Sequence, residues 1–398
     1  TFSESLRKRE GSDEFVFYCG PPLANGLSHY GHLLTGFVKD IIPRFQTMKG
    51  NKVDRRFGWD CHGLPAEMES EKELGISGRR QIQNFGVENF NNHCRESVMK
   101  YTKEWEKSVG RQARWVDFKN DYKTMDLDYM ESVIWAFKQL WDKGLVYEKD
   151  RVMPYSWKAE TPLSNFETKL DDSYRERKDP AVTVKFEVLE TDLNFKNKNR
   201  TFLLAWTTTP WTLPSNLACA VGKNIDYEVI SLNNENYIIA KNILKNFNNE
   251  LEGYEKVSEI KGENLVGIHY KPMFSYFKNN KNSFQVLEAD FVNTEEGTGI
   301  VHMSPGFGED DQIVCEKNNI KLVCPVDDQG KFTKEIPEFE GMVVFDANEK
   351  IISILKEKNI IIKKESYLHN YPHSWRTDEP LIYKSVNSWY VNVSSFKE

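Results

Sequence analysis

The sequence predicts an α/β protein in two styles: a nucleotide-binding α/β beginning, then a β-rich module. Three observations carry this. An apolar run, Phe15-Val16-Phe17-Tyr18, enters a Gly/Pro-rich turn, Gly20-Pro21-Pro22-Leu23-Ala24-Asn25-Gly26, and meets His29-Tyr30-Gly31-His32 where a helical repeat starts. Residues 78–149 keep a helical pattern. Near Pro180 the apolar period changes to two.

Residues 15–65 read as strand, phosphate-type turn, helix, strand and loop. In the helix, Leu34, Val38, Ile41, Phe45 and Met48 recur at spacings of three and four, which predicts one buried stripe. Pro43 interrupts it, where a proline costs roughly 3 kcal/mol and favours a kink; Gly50 fits its C-terminal cap. Met130, Val133, Ile134, Phe137, Leu140 and Trp141 form a second amphipathic run closed by Gly144. Val182, Val184, Phe186 and Val188 alternate with polar residues, and short strands are expected at 202–206, 227–230 and 236–239. Their punctuation by Asn and Gly suggests a barrel. Asp346 with Glu349 predicts a capping box opening a helix through Leu355, followed by a strand at 360–362. The aromatic segment 371–393 reads as strand.

At 398 residues the chain has room for two or three domains, and 39% hydrophobic content supplies ample core. It contains no 18-residue apolar run and no signal-like N-terminus, which points to a soluble, cytoplasmic protein without a membrane partner. Six scattered cysteines without a C-x-x-C read as reduced thiols. A net charge of −7 argues against a general nucleic-acid coat. An RNA partner would need local patches such as Arg55-Arg56 or Arg79-Arg80, pairs that are more often solvated faces. The Asn/Lys-rich tracts Asn194 to Arg200 and Lys278 to Asn282 read as polar loops.

The histidines carry the chemistry. A helix N-terminus exposes unpaired N–H groups that hold phosphate, and two imidazoles add donors for charge developing on a phosphoryl group. The second motif is Gly58-Trp59-Asp60-Cys61-His62-Gly63-Leu64-Pro65-Ala66-Glu67. Together the two resemble the HIGH signature and following tract of class I aminoacyl-tRNA synthetases. WDCHGLP is similar to the isoleucyl branch rather than the leucyl or valyl ones. The resemblance implies a partial Rossmann-like class I synthetase nucleotide-binding fold with an inserted β-rich, barrel-like editing domain. The implied divisions are 1–150 (catalytic half with helical segment), 151–177 (connector), 178–365 (editing) and 366–398 (return strands).

The resemblance further implies that isoleucine attacks ATP, supplied with Mg2+, and that tRNA(Ile) then accepts the aminoacyl group. The nucleophile is already a carboxylate, so catalysis needs positioning and charge stabilisation rather than a base. His29 and His32 are the expected stabilisers, and Gly31 lets nucleotide approach the backbone. Asp60 is expected to hold the substrate ammonium and Pro21 to wall the side-chain pocket. Trp59 and His62 are either contacts or support. Some relatives carry cysteine pairs in the tracts matching Tyr155 to Glu160 and Ser374 to Thr377; neither tract has cysteine here, so no zinc is expected.

Thr207-Thr208-Thr209-Pro210-Trp211-Thr212-Leu213-Pro214-Ser215-Asn216 and Gly297 to His302, continuing to Asp310-Asp311, resemble editing motifs of the isoleucyl, valyl and leucyl enzymes. One missing methylene gives a hydrophobic pocket only ~1–3 kcal/mol of discrimination, isoleucine against valine being the standard instance. A second, hydrolytic pocket is therefore expected. The resemblance implies Thr208 and Thr209 as hydroxyls serving the ester or water, Thr207 beside them, Asn216 and His302 as walls, and Asp311 rather than Asp310 on the misacylated ammonium. Gln312 stands where the family usually has tyrosine.

The KMSKS signature and an anticodon-binding domain are absent from this sequence. It reads as a piece of a longer enzyme, expected to hydrolyse Val-tRNA weakly without isoleucine-dependent pyrophosphate exchange. A valyl enzyme, a stand-alone deacylase and a noncatalytic tRNA-binding scaffold are the rival readings; membership of a multi-synthetase assembly is not decidable from the residues.

Overall fold

The computed structural model describes residues 2–189, 193, 195 and 197–397; Asn194 and Lys196 of the Asn/Lys-rich tract lie outside them. Two compact units emerge, Thr1–Tyr147 with Val391–Glu398, and Glu148–Tyr390. Among the described residues no helix is long and apolar enough to cross a membrane, and all six cysteines are free.

The first unit holds α1 (Phe2–Arg7), α2 (Tyr30–Met48), β1 (Arg56–Trp59), α3 (Leu64–Leu74), α4 (Gly78–Phe85), α5 (Val87–Ser97), α6 (Thr102–Arg111), β2 (Asp117–Lys123) and α7 (Leu127–Asp142). β1 and β2 pair in parallel, with Gly58 opposite Tyr122. Phe57, Trp59, Ala66, Val98, Trp105 and Val109 form the core over this pair.

Three expectations fail in this unit. Phe15 to Tyr18 is not a strand: the segment makes parallel bridges only near its ends, Glu14 with Lys52 and Leu23 with Asp60. Between them the Tyr122 ring lies over Gly58, where a Cβ would come within 2.2 Å of it. The Tyr122 hydroxyl donates to the Cys19 carbonyl at 2.8 Å, so a side chain takes the place of the ladder. The helical stretch is broken by β2, whose charged alternation (Asp117, Lys119, Asp121, Lys123) hides a strand. The α2 stripe is exposed, with Leu34 at 67% and Phe45 at 52%, because no described element packs over that face. Pro43 lies inside α2, and Gly50 follows its end at φ +104°. Arg55 is no surface patch: it donates to Thr47 Oγ1 at 2.6 Å and lies over the Phe2 and Trp115 rings.

The second unit holds β3 (Val146–Ser156), β4 (Thr161–Pro162), β5 (Tyr174–Glu187), β6 (Arg200–Thr207), β7 (Ala218–Val221), β8 (Asp226–Leu232), β9 (Glu235–Ala240), β10 (Glu255–Lys261), β11 (Gln285–Glu288), β12 (Ile300–Met303), α8 (Glu309–Lys317), α9 (Val344–Glu357), β13 (Ile361–Pro372) and β14 (Ile382–Val391). β14, β3 and β4 form a small sheet; nine strands form the large one. Its path runs β10-β8-β9-β6-β12-β7-β11, with β5 joining β6 to β13.

β6 organises that sheet. Along residues 202–207 it pairs antiparallel with β5, along 200–203 parallel with β9, and at Trp206 parallel with β12. One strand edge thus serves two neighbours in succession, which makes the sheet split and curl there. The even apolar period of β5 is real, yet Ala181 to Phe186 are buried on both faces. Asp346 caps nothing: α9 begins after Val343 without a side-chain cap, and Glu349 instead pairs with Lys364 at 2.8 Å.

Candidate activation and hydrolysis sites

The two histidines form the N-terminus of α2. Gly31 N–H donates to His29 Nδ1 at 3.2 Å, and His29 N–H donates to His32 Nδ1 at 3.3 Å, a reciprocal cap made of imidazoles. A neutral ring accepting at Nδ1 carries its proton on Nε2, so the cap leaves both histidines as Nε2–H donors. The rings stack with centroids 3.7 Å apart, and His32 rests edge-on to Trp105 at 4.7 Å. Burial, then the charges of His29 and Lys39, hold His32 below the usual histidine range. Gly31 suits this close packing: a Cβ there would come within 3.0 Å of the His29 ring and push it aside.

The glycine-proline turn and the WDCHGLP tract meet beside this cap. Asp60 N–H donates to the Pro22 carbonyl at 2.8 Å, and Asn25 donates to the Pro65 carbonyl at 3.0 Å. Trp105 Nε1 donates to the Gly26 carbonyl, tying the turn to the ring that supports His32. Asp60 is half-buried and accepts from His62 N–H at 3.3 Å. Trp59 is core, its indole N–H bonded to Asp121 at 2.7 Å; His62 is exposed. A cavity of about 780 Å3 in the same unit is lined by Pro21, Arg56, Asp121 and Tyr122, but not by His29, His32 or Asp60.

In the second unit, the end of β6, the start of β12 and the residues just beyond each border about 320 Å3, lined by Trp206, Thr207, Thr208, Thr298, Val301 and His302. Gly299 makes the approach possible, since a Cβ there would sit 2.4 Å from Ala240 Cβ. Thr209 N–H donates to Thr207 Oγ1 at 3.1 Å, and the Thr207 and Thr209 hydroxyls lie 3.1 Å apart. Among the described residues the Thr208 hydroxyl has no hydrogen-bond partner, and it borders the cavity.

Behind the cavity stands a polar network that the sequence did not reveal. His302 is buried and both ring nitrogens are engaged: Nε2 lies 3.0 Å from Thr212 Oγ1 and Nδ1 2.8 Å from Asn216 Nδ2. Burial pushes its pKa down to about 3. Asn216, 5% exposed, lies in this network behind the cavity lining and accepts from the Tyr270 hydroxyl at 2.7 Å. No motif signals Tyr270, which is 54 residues away from Asn216. Asp311 lies in the first turn of α8, and its Oδ2 accepts from Ser304 N–H at 2.8 Å. Burial pushes its carboxyl up to about 7. It is not among the cavity-lining residues, while its neighbour Asp310 is exposed. The two cysteine-free tracts also meet, Ser156 Oγ lying 3.4 Å from Ser374 Oγ.

An anion-ready helix cap on a parallel α/β unit, joined to a β-rich unit with a threonine-lined cavity, is a class I synthetase arrangement. The family profile "tRNA synthetases class I (I, L, M and V)" matches residues 1–398, and the chain belongs to that family. Among its relatives, the isoleucine–tRNA ligase of Rickettsia peacockii is 63% identical over 403 residues, covering 100% of this chain and 37% of that protein. That of Rickettsia canadensis is 63% identical over 399 residues, with the same coverage. That of Rickettsia bellii is 58% identical over 441, covering 40% of it. The chain thus spans well under half the length of these curated relatives.

Proposed function

We propose that the whole protein is an isoleucine–tRNA ligase that also hydrolyses misacylated Val-tRNA(Ile). The observation that carries this is 63% identity, over the entire chain, to proteins bearing that name. ATP with Mg2+, isoleucine and tRNA(Ile) are the proposed substrates, in the cytoplasm, without a bound zinc.

In activation, the Nε2–H groups of His29 and His32 donate to the phosphates as charge builds, and the α2 N-terminus adds its partial positive charge. Gly31 keeps the backbone open. Asp60 holds the ammonium and Pro21 borders the side chain. Asp60 and the Pro21-Pro22 turn support these roles because the Leu23 bridge fixes them side by side.

The editing domain is proposed as residues 178–365, with 151–177 as connector and 366–398 as return strands. There Thr208 offers the free hydroxyl, and Thr207 and Thr209 hold its loop. His302 walls the cavity and Asn216 supports it from behind. Asp311 is preferred over Asp310 for the ammonium because it turns inward, with one carboxylate oxygen left beyond the Ser304 bond.

The test is a panel of amino acids in ATP–pyrophosphate exchange with the full-length protein, together with Val-tRNA(Ile) deacylation. Isoleucine is expected to support exchange best. Valine turning over faster would replace this reading with the valyl one. Deacylation without any exchange would make the protein a stand-alone hydrolase.

A further inference from the structure

We infer that Gln312 is a positioning residue for Asp311, acting by pinning α8, the helix that carries that carboxylate, to the backbone of β3. Its side chain does what a neighbouring strand would do. Gln312 is 5% exposed; its Oε1 accepts from Val152 N–H at 2.9 Å, and its Nε2 donates to the Asp150 carbonyl at 2.7 Å. A backbone N–H only donates and a carbonyl only accepts, so these two bonds settle which end of the amide is which. Nε2 also donates to Glu316 Oε1 at 2.7 Å, one turn further along α8, and Glu316 Oε2 accepts from Lys149 at 2.8 Å. Two successive turns of α8 are thereby tied to residues 149–152.

Apolar packing holds this helix less firmly. Of its nine residues only Gln312 and Cys315 are buried, Val314 is half-buried and Ile313 is 58% exposed. Successive residues on a helix point about 100° apart, so Asp311 and Gln312 reach different neighbours. Asp311 Oδ2 meets Ser304 N–H just past β12 at 2.8 Å, while Gln312 meets β3. The Ser304 bond fixes one oxygen of the carboxylate; the Gln312 amide fixes the backbone from which it hangs. Without that amide the buried Val152 N–H loses its acceptor, and the first turn of α8 is left to a bond made by the very carboxylate it should place. Gln312 itself does not line the threonine cavity, so it acts only through its neighbour.

The test compares crystal structures of the full-length protein with and without Gln312→Met, which keeps the length of the side chain and removes both ends of the amide. In the variant the Asp311 carboxylate is expected to move by about 1 Å and lose the Ser304 bond, with β12 unmoved. If Gln312→Met does not fold, Gln312→Glu, which accepts from Val152 but cannot donate to Asp150, takes its place. The kinetic arm rests on the deacylase reading. There Gln312→Met should lower kcat/KM for valyl-tRNA hydrolysis about tenfold and leave isoleucine-dependent exchange unchanged. In an Asp311→Asn background it should cost nothing further, because its effect passes through that carboxylate. An Asp311 carboxylate that stays in place overturns the inference, as does a tenfold loss that persists with Asp311→Asn. A wild-type protein that hydrolyses no ester refutes the deacylase reading alone, and the two structures still decide the role of Gln312.

Discussion

The two units bury their apolar residues very differently. In the second, β6 runs Phe202-Leu203-Leu204-Ala205 at no more than 5% exposure, and α9 buries Ala347, Ile351, Ile352 and Leu355. In the first, α2 leaves Leu34, Phe37, Ile41 and Phe45 in the open, and α7 does the same with Val133, Ile134, Trp135 and Phe137. Both units have sequences rich in amphipathic pattern. The difference is in partners: nine strands supply covering surfaces in one unit, while two paired strands leave helix faces bare in the other. An apolar stripe thus states a demand for burial without naming what meets it.

The largest test of that contrast is core truncation. Leu203→Ala should lower stability by about 4 kcal/mol, since buried leucines lose both transfer energy and packing. Leu34→Ala should cost under about 0.5 kcal/mol. Denaturant unfolding measures both, and similar costs would abolish the distinction. The next is glycine packing. A Cβ on Gly306 would sit 2.1 Å from the Val323 carbonyl oxygen, a fixed backbone atom; on Gly58 it would meet the Tyr122 ring, which can swing away. Gly306→Ala should cost about 3 kcal/mol and Gly58→Ala about 1 kcal/mol. A reversed order would show that the first unit is the less yielding of the two.

The third prediction concerns pH in the second unit. Asp311 is raised from 3.8 to about 7, so the folded state binds the extra proton and its contribution is lost as pH rises through that window. His302 is lowered from 6.5 to about 3, so the unfolded state binds the extra proton and stability grows as pH rises. Between about pH 4 and 6.5 the two slopes oppose each other. Asp311→Asn should expose the rising slope and His302→Gln the falling one, each by about 3 kcal/mol across the window. Equal, flat profiles in both variants would show that neither group is shifted. The smallest effect is chemical: Thr208→Val should slow valyl-tRNA hydrolysis about tenfold, equivalent to about 1.4 kcal/mol, and leave isoleucine-dependent exchange unchanged. Loss of both activities together would mean the units do not divide the work.

Much of this was legible in residue order. The α2 helix, its glycine end, the strands at β6, β8 and β9, and the helix before β13 follow from periodicity and turn chemistry, which act within a few residues. The threonine run and the His29/His32 pair were legible because their spacing is local. The strand β2 was not, since its parallel partner lies some sixty residues earlier and its alternation is between charges. Asp346 fits a capping box by spacing alone, yet α9 starts two residues before it, at Val344. The Phe15 to Tyr18 segment has strand composition, and the Tyr122 phenol displaces its ladder.

By itself the sequence determined the two local motifs and most of the helices and strands, because propensity and motif spacing are short-range properties. Tertiary structure alone decided the burial of His302, the Ser304 bond to Asp311, the exposure of the α2 stripe and the tie between Tyr270 and Asn216. Those depend on desolvation and on partners brought together across dozens to hundreds of residues, and no local pattern encodes them.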